Sequence, residues 1–180
     1  NIGGIANFTY IQPNMKLNEV TGSDTGPGMS LIDEFCQVIW SENYDYNAKF
    51  SSNGQIIDLL LVELMNHPFI NEKLPKSTGR DIFGLKFVKK ILMDWNNYKR
   101  EDILRTFIAF TAKSIYENII KIRNFNLSNT TVIISGGGIH HPLIVKDLEI
   151  LFDFKIFDSN LVGIDPDYKE ALLMAVLGAC

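Results

Sequence analysis

Three glycine-rich stretches carry most of the polar chemistry of this 180-residue sequence. In one, Ser135-Gly136-Gly137-Gly138 follows the apolar run from Thr130 to Ile134 and leads into Ile139-His140-His141-Pro142. Glycine lets backbone come close to a ligand, and a helix N-terminus just beyond offers free N–H groups and a field that favours phosphate. The other reading is a tight strand-to-helix turn with nothing bound. At the start of the chain, Asn1-Ile2-Gly3-Gly4-Ile5-Ala6-Asn7 sets paired glycines before a β-rich run. Gly3 and Gly4 either shape a hairpin or free N–H groups for phosphate, with Asn7 as a nearby polar side chain. The third stretch, Gly22-Ser23-Asp24-Thr25-Gly26-Pro27-Gly28, holds one carboxylate and two hydroxyls ahead of a helix. That set suits polar substrate oxygens or a metal-bound phosphate, although Asp24 and Thr25 are also helix-capping residue types.

Lesser candidates stand beside these. Pro75-Lys76-Ser77-Thr78-Gly79-Arg80-Asp81 packs two cations and two hydroxyls into a short loop. It reads as an anion clamp or, as its spacing slightly favours, as a solvated cap for the next helix. Glu170 is a carboxylate among apolar residues near the start of the last helix, suited to a salt bridge or to a ligand hydroxyl. His67, just before Pro68, reads as a helix-end residue and not as an acid or base.

The elements that must position these residues follow from hydrophobic period. Strands are expected at residues 5–11, 17–20, 130–134 and 154–157. Met29, Ile32, Phe35, Cys36, Ile39 and Trp40 recur at helical steps, and further helices are expected over residues 55–66, 83–92 and 101–124. Pro142 fits the first position of the helix running through Phe152, and Asp165-Pro166-Asp167 fits the start of a last helix buried by Leu172, Leu173, Ala175, Val176 and Leu177. The order implies an α/β fold, a mixed sheet flanked by helices, with the glycine turns gathered at one edge.

Seventeen basic and twenty-one acidic side chains leave a formal charge of −4, so no broad basic field argues for nucleic acid or an anionic membrane. No apolar run reaches the ~18 to 20 residues needed to span a bilayer. Cys36 and Cys180 form no paired framework and no metal-ligand spacing, which points to a reducing compartment, and the cytoplasm is the expected location. The chain begins inside a strand-turn motif without Met, so a preceding portion is expected to be absent.

In this order the motifs resemble the C-terminal half of anhydro-N-acetylmuramic acid kinases, which belong with actin, hexokinase and the heat-shock chaperone ATPases. Asn1 to Asn7 is similar to that family's second phosphate-binding segment, Asp24-Thr25-Gly26-Pro27-Gly28 to its DTGPG loop, and Pro75 to Arg80 to its PKSTGR segment. Gly136 to Gly138 with His140 and Pro142 is similar to its adenosine-side turn, and Glu170-Ala171 also matches. The resemblance implies a ribonuclease H-like lobe of the actin/hexokinase type, with a five-stranded mixed sheet and a helical insertion at about residues 43–100. It implies ATP and Mg2+ as cofactors, an anhydro sugar as substrate, a missing N-terminal lobe and a possible homodimer. Gly3, Gly4, Asn7, Gly136, Gly137 and Gly138 would bind nucleotide, while Asp24, Thr25, Gly26 and Glu170 would lie near the substrate or the Mg-phosphate group. The catalytic base and the first phosphate loop would lie upstream, so this chain alone would be inactive. Met29 replaces the family's usual Asn after DTGPG, a thioether where an amide is expected. Levoglucosan is the alternative substrate, and a non-catalytic nucleotide- or sugar-binding fragment the alternative role.

Overall fold

The computed structural model describes residues 1–123 and 125–179. Asn124, the expected end of the long helix, and Cys180 lie outside them. Strands β1 (Ile5–Tyr10) and β2 (Thr21–Pro27) pair antiparallel, with Ile5 opposite Pro27 and Tyr10 opposite Thr21. Strands β3 (Ile133–Ile134) and β4 (Phe157–Asp158) pair in parallel. The helices are α1 (Ser30–Trp40), α2 (Asp58–Met65), α3 (Pro68–Asn71), α4 (Leu85–Asp94), α5 (Arg100–Ile119), α6 (Pro142–Phe152) and α7 (Lys169–Gly178). No described helix is long and apolar enough to cross a membrane.

The fold is α/β; among the described residues four strands make two two-stranded sheets, and the expected single five-stranded sheet is not seen there. Between them lies an open groove of about 850 Å3, walled by β1 on one side and by the residues around β3 on the other. The first residues of the chain bridge the two. Ile2 forms an antiparallel bridge with Ala6, donates its N–H to the Ser135 carbonyl at 2.7 Å and accepts from the Gly138 N–H at 2.9 Å.

The expected strand at residues 17–20 is instead a 3-10 turn, Leu17–Glu19, and the polar stretch expected as a loop is strand β2. A sequence without apolar alternation can be a buried strand when its hydroxyls find backbone partners. Thr25 donates to the Ala6 carbonyl at 3.1 Å, and Ser23 exchanges hydrogen bonds with the backbone of Lys76.

Helix α5 is the core of the molecule and packs on α6, α2 and β2. Its apolar stripe appears as expected, with Leu104, Phe107 and Ile108 fully buried. Phe107 meets Phe35 of α1 edge to face at 5.7 Å, and Phe110 meets Phe83 at 6.2 Å. Burial of each such ring contributes about 1.5–3 kcal/mol. Arg105 and Asp147 add a bidentate ion pair from α5 to α6, at 2.7 and 2.8 Å. Cys36 is buried, and that burial pushes its thiol up to about 12, as an inert thiol requires.

Helix α7 departs from expectation. It has no buried residue, and Leu172, Leu173, Val176 and Leu177 are exposed. The segment is apolar around most of its circumference, so its sequence marks no single face for the core.

Candidate functional site

The first four N–H groups of a helix need outside acceptors. At the entry to α1 glycine carbonyls accept from Ser30, the first helical residue, and from the two residues before it: Gly4 accepts from the N–H groups of Gly28 at 2.9 Å and Ser30 at 3.0 Å, and Gly3 from that of Met29 at 2.8 Å. Met29 is the N-cap residue and makes no side-chain cap bond, so Asp24 and Thr25 do not cap this helix. The approach is so close that a Cβ on Gly28 would collide with the Gly3 carbonyl. With their carbonyls turned to α1, Gly3 and Gly4 find no acceptor for their N–H groups among the described residues.

The turn at residues 136–138 sits on the same strand end. Gly136 has φ +84°, a left-handed conformation that glycine adopts freely, and donates to the Pro166 carbonyl at 3.1 Å. Gly138 donates to the Ile2 carbonyl, and a Cβ there would overlap the Ile2 side chain. Gly137 differs from both. Its N–H has no acceptor among the described residues, and a Cβ on it would meet nothing within 4 Å. A 3-10 turn, Gly137–His140, then leads into α6, where Pro142 takes the first helical position as expected.

Asp24 lies opposite Asn7 in the β1–β2 ladder. Its Oδ2 accepts from the Thr78 N–H at 2.8 Å and the Ser77 hydroxyl at 3.0 Å, so it pins the loop at residues 75–81 against the strand. That loop does not cap the helix after it: α4 has Gly84 as its N-cap and no side-chain cap bond. The loop instead lays the Arg80 guanidinium against the Gly3-Gly4 turn, where a Cβ on Gly4 would stand 3.0 Å from its Nη2 and 3.1 Å from its Nε. Lys76 turns inward, donating to the Phe69 carbonyl at 2.7 Å and the Ile70 carbonyl at 3.0 Å, and burial pulls its ammonium down to about 8. His67 is the N-cap of α3, accepting from the Phe69 N–H at 3.3 Å, which is the helix-end role expected of it.

Two residues that sequence reasoning missed hold this arrangement from below. Thr111 of α5 donates to the Gly28 carbonyl at 3.0 Å, and Asn118 to the Thr25 carbonyl at 3.1 Å. Both are fully buried. The signal available was two hydrogen-bonding residues a helical seven apart in an apolar stripe, where Thr111 passes for a packing residue. Gly26, at φ +146°, passes so close to α5 and α3 that a Cβ would stand 3.1 Å from both the Ser114 hydroxyl and Ile70. Glu170 lies exposed in the first turn of α7 and makes no ion pair among the described residues.

A cavity of about 500 Å3 opens beside Gly137, lined by Met29, Asp33, Tyr44, Asp45, His140 and His141 among others. Burial pushes the Asp33 carboxyl up to about 6, against a weaker opposing pull from Arg80. Behind it, His141 and Asp45 form a buried pair at 3.3 Å. Burial alone would raise Asp45, but hydrogen bonds from His141, the Phe50 N–H and Ser51 outweigh it and hold its carboxyl below the usual range. His140 pairs with Asp167 at 2.9 Å on the rim. Among the described residues no group of three His, Cys, Asp or Glu side chains is placed to hold a metal ion.

The structure thus brings Gly3, Gly4, Gly28 and Gly138 together through Ile2, with Arg80 over the first turn and Gly137 open to a cavity. Asn7 faces the large groove, Thr25 and Gly26 are built into the core, and Glu170 stands apart.

Comparison with known proteins gives this arrangement a lineage. The family model described as anhydro-N-acetylmuramic acid kinase matches residues 1–180. An anhydro-N-acetylmuramic acid kinase of Clostridioides difficile (strain 630) is 36% identical over 182 residues, 99% of this chain and 47% of the relative. That of Francisella tularensis subsp. novicida (strain U112) is 35% identical over 181 residues, covering 99% and 47%. That of Bacillus cereus (strain G9842) is 39% identical over 181 residues, covering 98% and 47%. The chain therefore spans about half the length of the curated relatives it matches. Among solved structures, the activator of the 2-hydroxyisocaproyl-CoA dehydratase from Clostridium difficile with bound ADPNP superposes with a TM-score of 0.54 at 18% identity, over 93% of this chain and 53% of that one. At that identity the likeness shows a shared fold alone. The match along the full chain, carried by relatives at 35–39% identity, shows that this chain belongs to the anhydro-N-acetylmuramic acid kinase family.

Proposed function

We propose that this chain forms the nucleotide side and part of the sugar side of an ATP-dependent anhydro-sugar kinase, completed by an N-terminal lobe outside the 180 residues. One observation carries the reading: the Gly3-Gly4 turn and the turn at residues 136–138 meet at Ile2, and both leave N–H groups without acceptors among the described residues. Backbone N–H groups gathered this way suit phosphate and the sugar-phosphate end of a nucleotide. Arg80, held against Gly4, adds a cation where such a phosphate would sit. The nucleotide contacts are assigned to Gly3, Gly4, Gly136, Gly137 and Gly138, with Asn7 alongside. Asp24 is assigned to the substrate or Mg-phosphate vicinity, Thr25 and Gly26 hold its backbone in place, and Glu170 approaches once the lobes close.

The substrate assigned is anhydro-N-acetylmuramic acid, for which the relatives are named. Water would add at the anomeric carbon as its bond to the bridging oxygen breaks, giving a proton to a base on the absent lobe. The released 6-oxygen would take the γ-phosphoryl group, and ADP would leave. Magnesium on the phosphates would neutralise charge. Such an ion keeps most of its waters and leans on one or two carboxylates, and Asp24 would supply one of them. Levoglucosan is the second reading, kept open by Met29, which puts a thioether on the cavity wall. A coupled ATP-turnover assay of the complete gene product, with the two sugars side by side, tests both. Turnover with neither would refute the kinase reading and leave a non-catalytic binding fragment.

A further inference from the structure

We infer that Asp33 selects the ribose of the bound nucleotide, accepting from its two adjacent hydroxyls in the cavity beside Gly137, a role that rests on the nucleotide reading and adds to it the residue that recognises ribose. The Asp33 carboxyl lines that cavity, and its Oδ1 is buried with no hydrogen-bond partner among the described residues. The neighbouring cation does not complete it: Arg80 lies near enough to pull against its shift but pairs with Glu34, at 3.8 Å. A partly buried carboxyl that lacks donors carries an uncompensated desolvation cost, which is why burial pushes this one up to about 6. A ligand that brings O–H donors removes that cost. The two oxygens of one carboxylate match the two vicinal hydroxyls of a ribose.

Position separates the ribose from other sources of donors. Met29 gives its N–H to the Gly3 carbonyl at 2.8 Å, and Asp33, one turn on, gives its own to the Met29 carbonyl at 2.8 Å, so both side chains lie on one face of α1. Both line the cavity, which thus runs from beside the Gly3-Gly4 turn to Gly137 and His141 at the start of α6. At about 500 Å3 it falls within the roughly 300–1,000 Å3 of small-ligand sites. Another part of its wall offers a base two exposed aromatic rings, Tyr44 and Tyr46, with centroids 6.2 Å apart. Asp45, between them, fixes that wall: it is buried, accepts from the Phe50 N–H at 2.8 Å and pairs with His141 at 3.3 Å. With phosphates at the Gly3-Gly4 turn and the base against the tyrosines, the ribose falls to Asp33. Asp24, assigned to the substrate or Mg-phosphate vicinity, lies outside the lining of this cavity, so the hydroxyls of the anhydro sugar are placed elsewhere.

The test is titration calorimetry of ADP and 2′,3′-dideoxy-ADP with the complete gene product and with its Asp33→Leu variant. The parent should bind the dideoxy nucleotide roughly tenfold or more weakly than ADP, as expected when hydrogen bonds to a charged group are lost. Asp33→Leu removes a carboxyl that has no partner, so it should fold, and it should bind the two nucleotides within roughly threefold of each other. The comparison in the parent stands whether or not the variant folds. A parent that binds both nucleotides equally, or a folded variant that keeps the parent's ratio, would overturn the role of Asp33 and leave the nucleotide reading standing. Unchanged ADP affinity in Asp33→Leu with weakened binding of the anhydro sugar would also overturn it, by giving the carboxylate to that sugar. Binding of neither nucleotide by the parent would sink the nucleotide reading itself, and the role of Asp33 with it.

Discussion

Gly137 and Gly138 are adjacent and chemically identical, yet the structure predicts opposite consequences for their replacement. An alanine at 138 puts its Cβ 2.6 Å from the Ile2 Cβ and 3.1 Å from the Ile2 carbonyl. Ile2 is 2% exposed and bonded to Ser135, so it has no room to retreat. Overpacking of this kind costs about 1–3 kcal/mol. At roughly 2–4 °C per kcal/mol for a chain of this size, Gly138→Ala lowers Tm by about 2–12 °C. At 137 a Cβ meets nothing within 4 Å, so Gly137→Val leaves stability within about 0.5 kcal/mol of the parent. A bound nucleotide would still meet the new side chain. In the complete gene product, Gly137→Val should raise the nucleotide Kd at least tenfold, about 1.4 kcal/mol. Thermal unfolding by circular dichroism and titration calorimetry with a non-hydrolysable ATP analogue read the two quantities separately. Unchanged nucleotide affinity in a well-folded Gly137→Val protein would refute the role of this turn, and an unchanged Tm for Gly138→Ala would refute the packing argument.

Thr111→Val keeps the shape of a buried side chain but strands the Gly28 carbonyl, and should cost about 1–3 kcal/mol in urea unfolding; parity with the parent would show that the bond carries no weight. Asp24→Asn keeps an oxygen for Thr78 and Ser77, so its stability cost should stay near ~1 kcal/mol while phosphoryl transfer falls by much more. Equal losses would reduce Asp24 to a loop anchor. Asp33 titrates near 6 when folded, against 3.8 unfolded, so between those values the folded state holds a proton that the unfolded state has released. Its contribution is present below about pH 4 and lost as pH rises through about 6, and Asp33→Asn should remove that slope from urea-unfolding free energies measured from pH 4 to 7. An identical slope in the variant would place the titration elsewhere.

Local pattern made much of this legible. The helical period placed α1, α5 and α6 close to where they lie, and Pro142 marked the first turn of α6 correctly. The glycine stretches were visible as motifs because glycine runs beside apolar segments are rare without a conformational reason. The stretch at residues 21–27 was misjudged because its strand character comes from partners far along the chain, Ala6 and Lys76, and not from alternation of its own. The cap reading of the Pro75 loop, which spacing slightly favours, fails for the same reason: Ser77 and Thr78 bind Asp24, more than fifty residues earlier.

By itself the sequence determined the family, the α/β class, the helix positions and the residue types offered to a phosphate, since all of these are written in short-range order. Only the tertiary structure decided that the carbonyls of Gly3 and Gly4 cap α1 and so turn their N–H groups outward, and that Arg80 lies over that turn. It alone showed that Ile2 joins the first residues to Ser135 and Gly138, and that Thr111 and Asn118 hold the loop from within the core. Those contacts link residues from 24 to 136 positions apart. Periodicity reports which face of an element is apolar, but it carries no information about which distant backbone that face will meet.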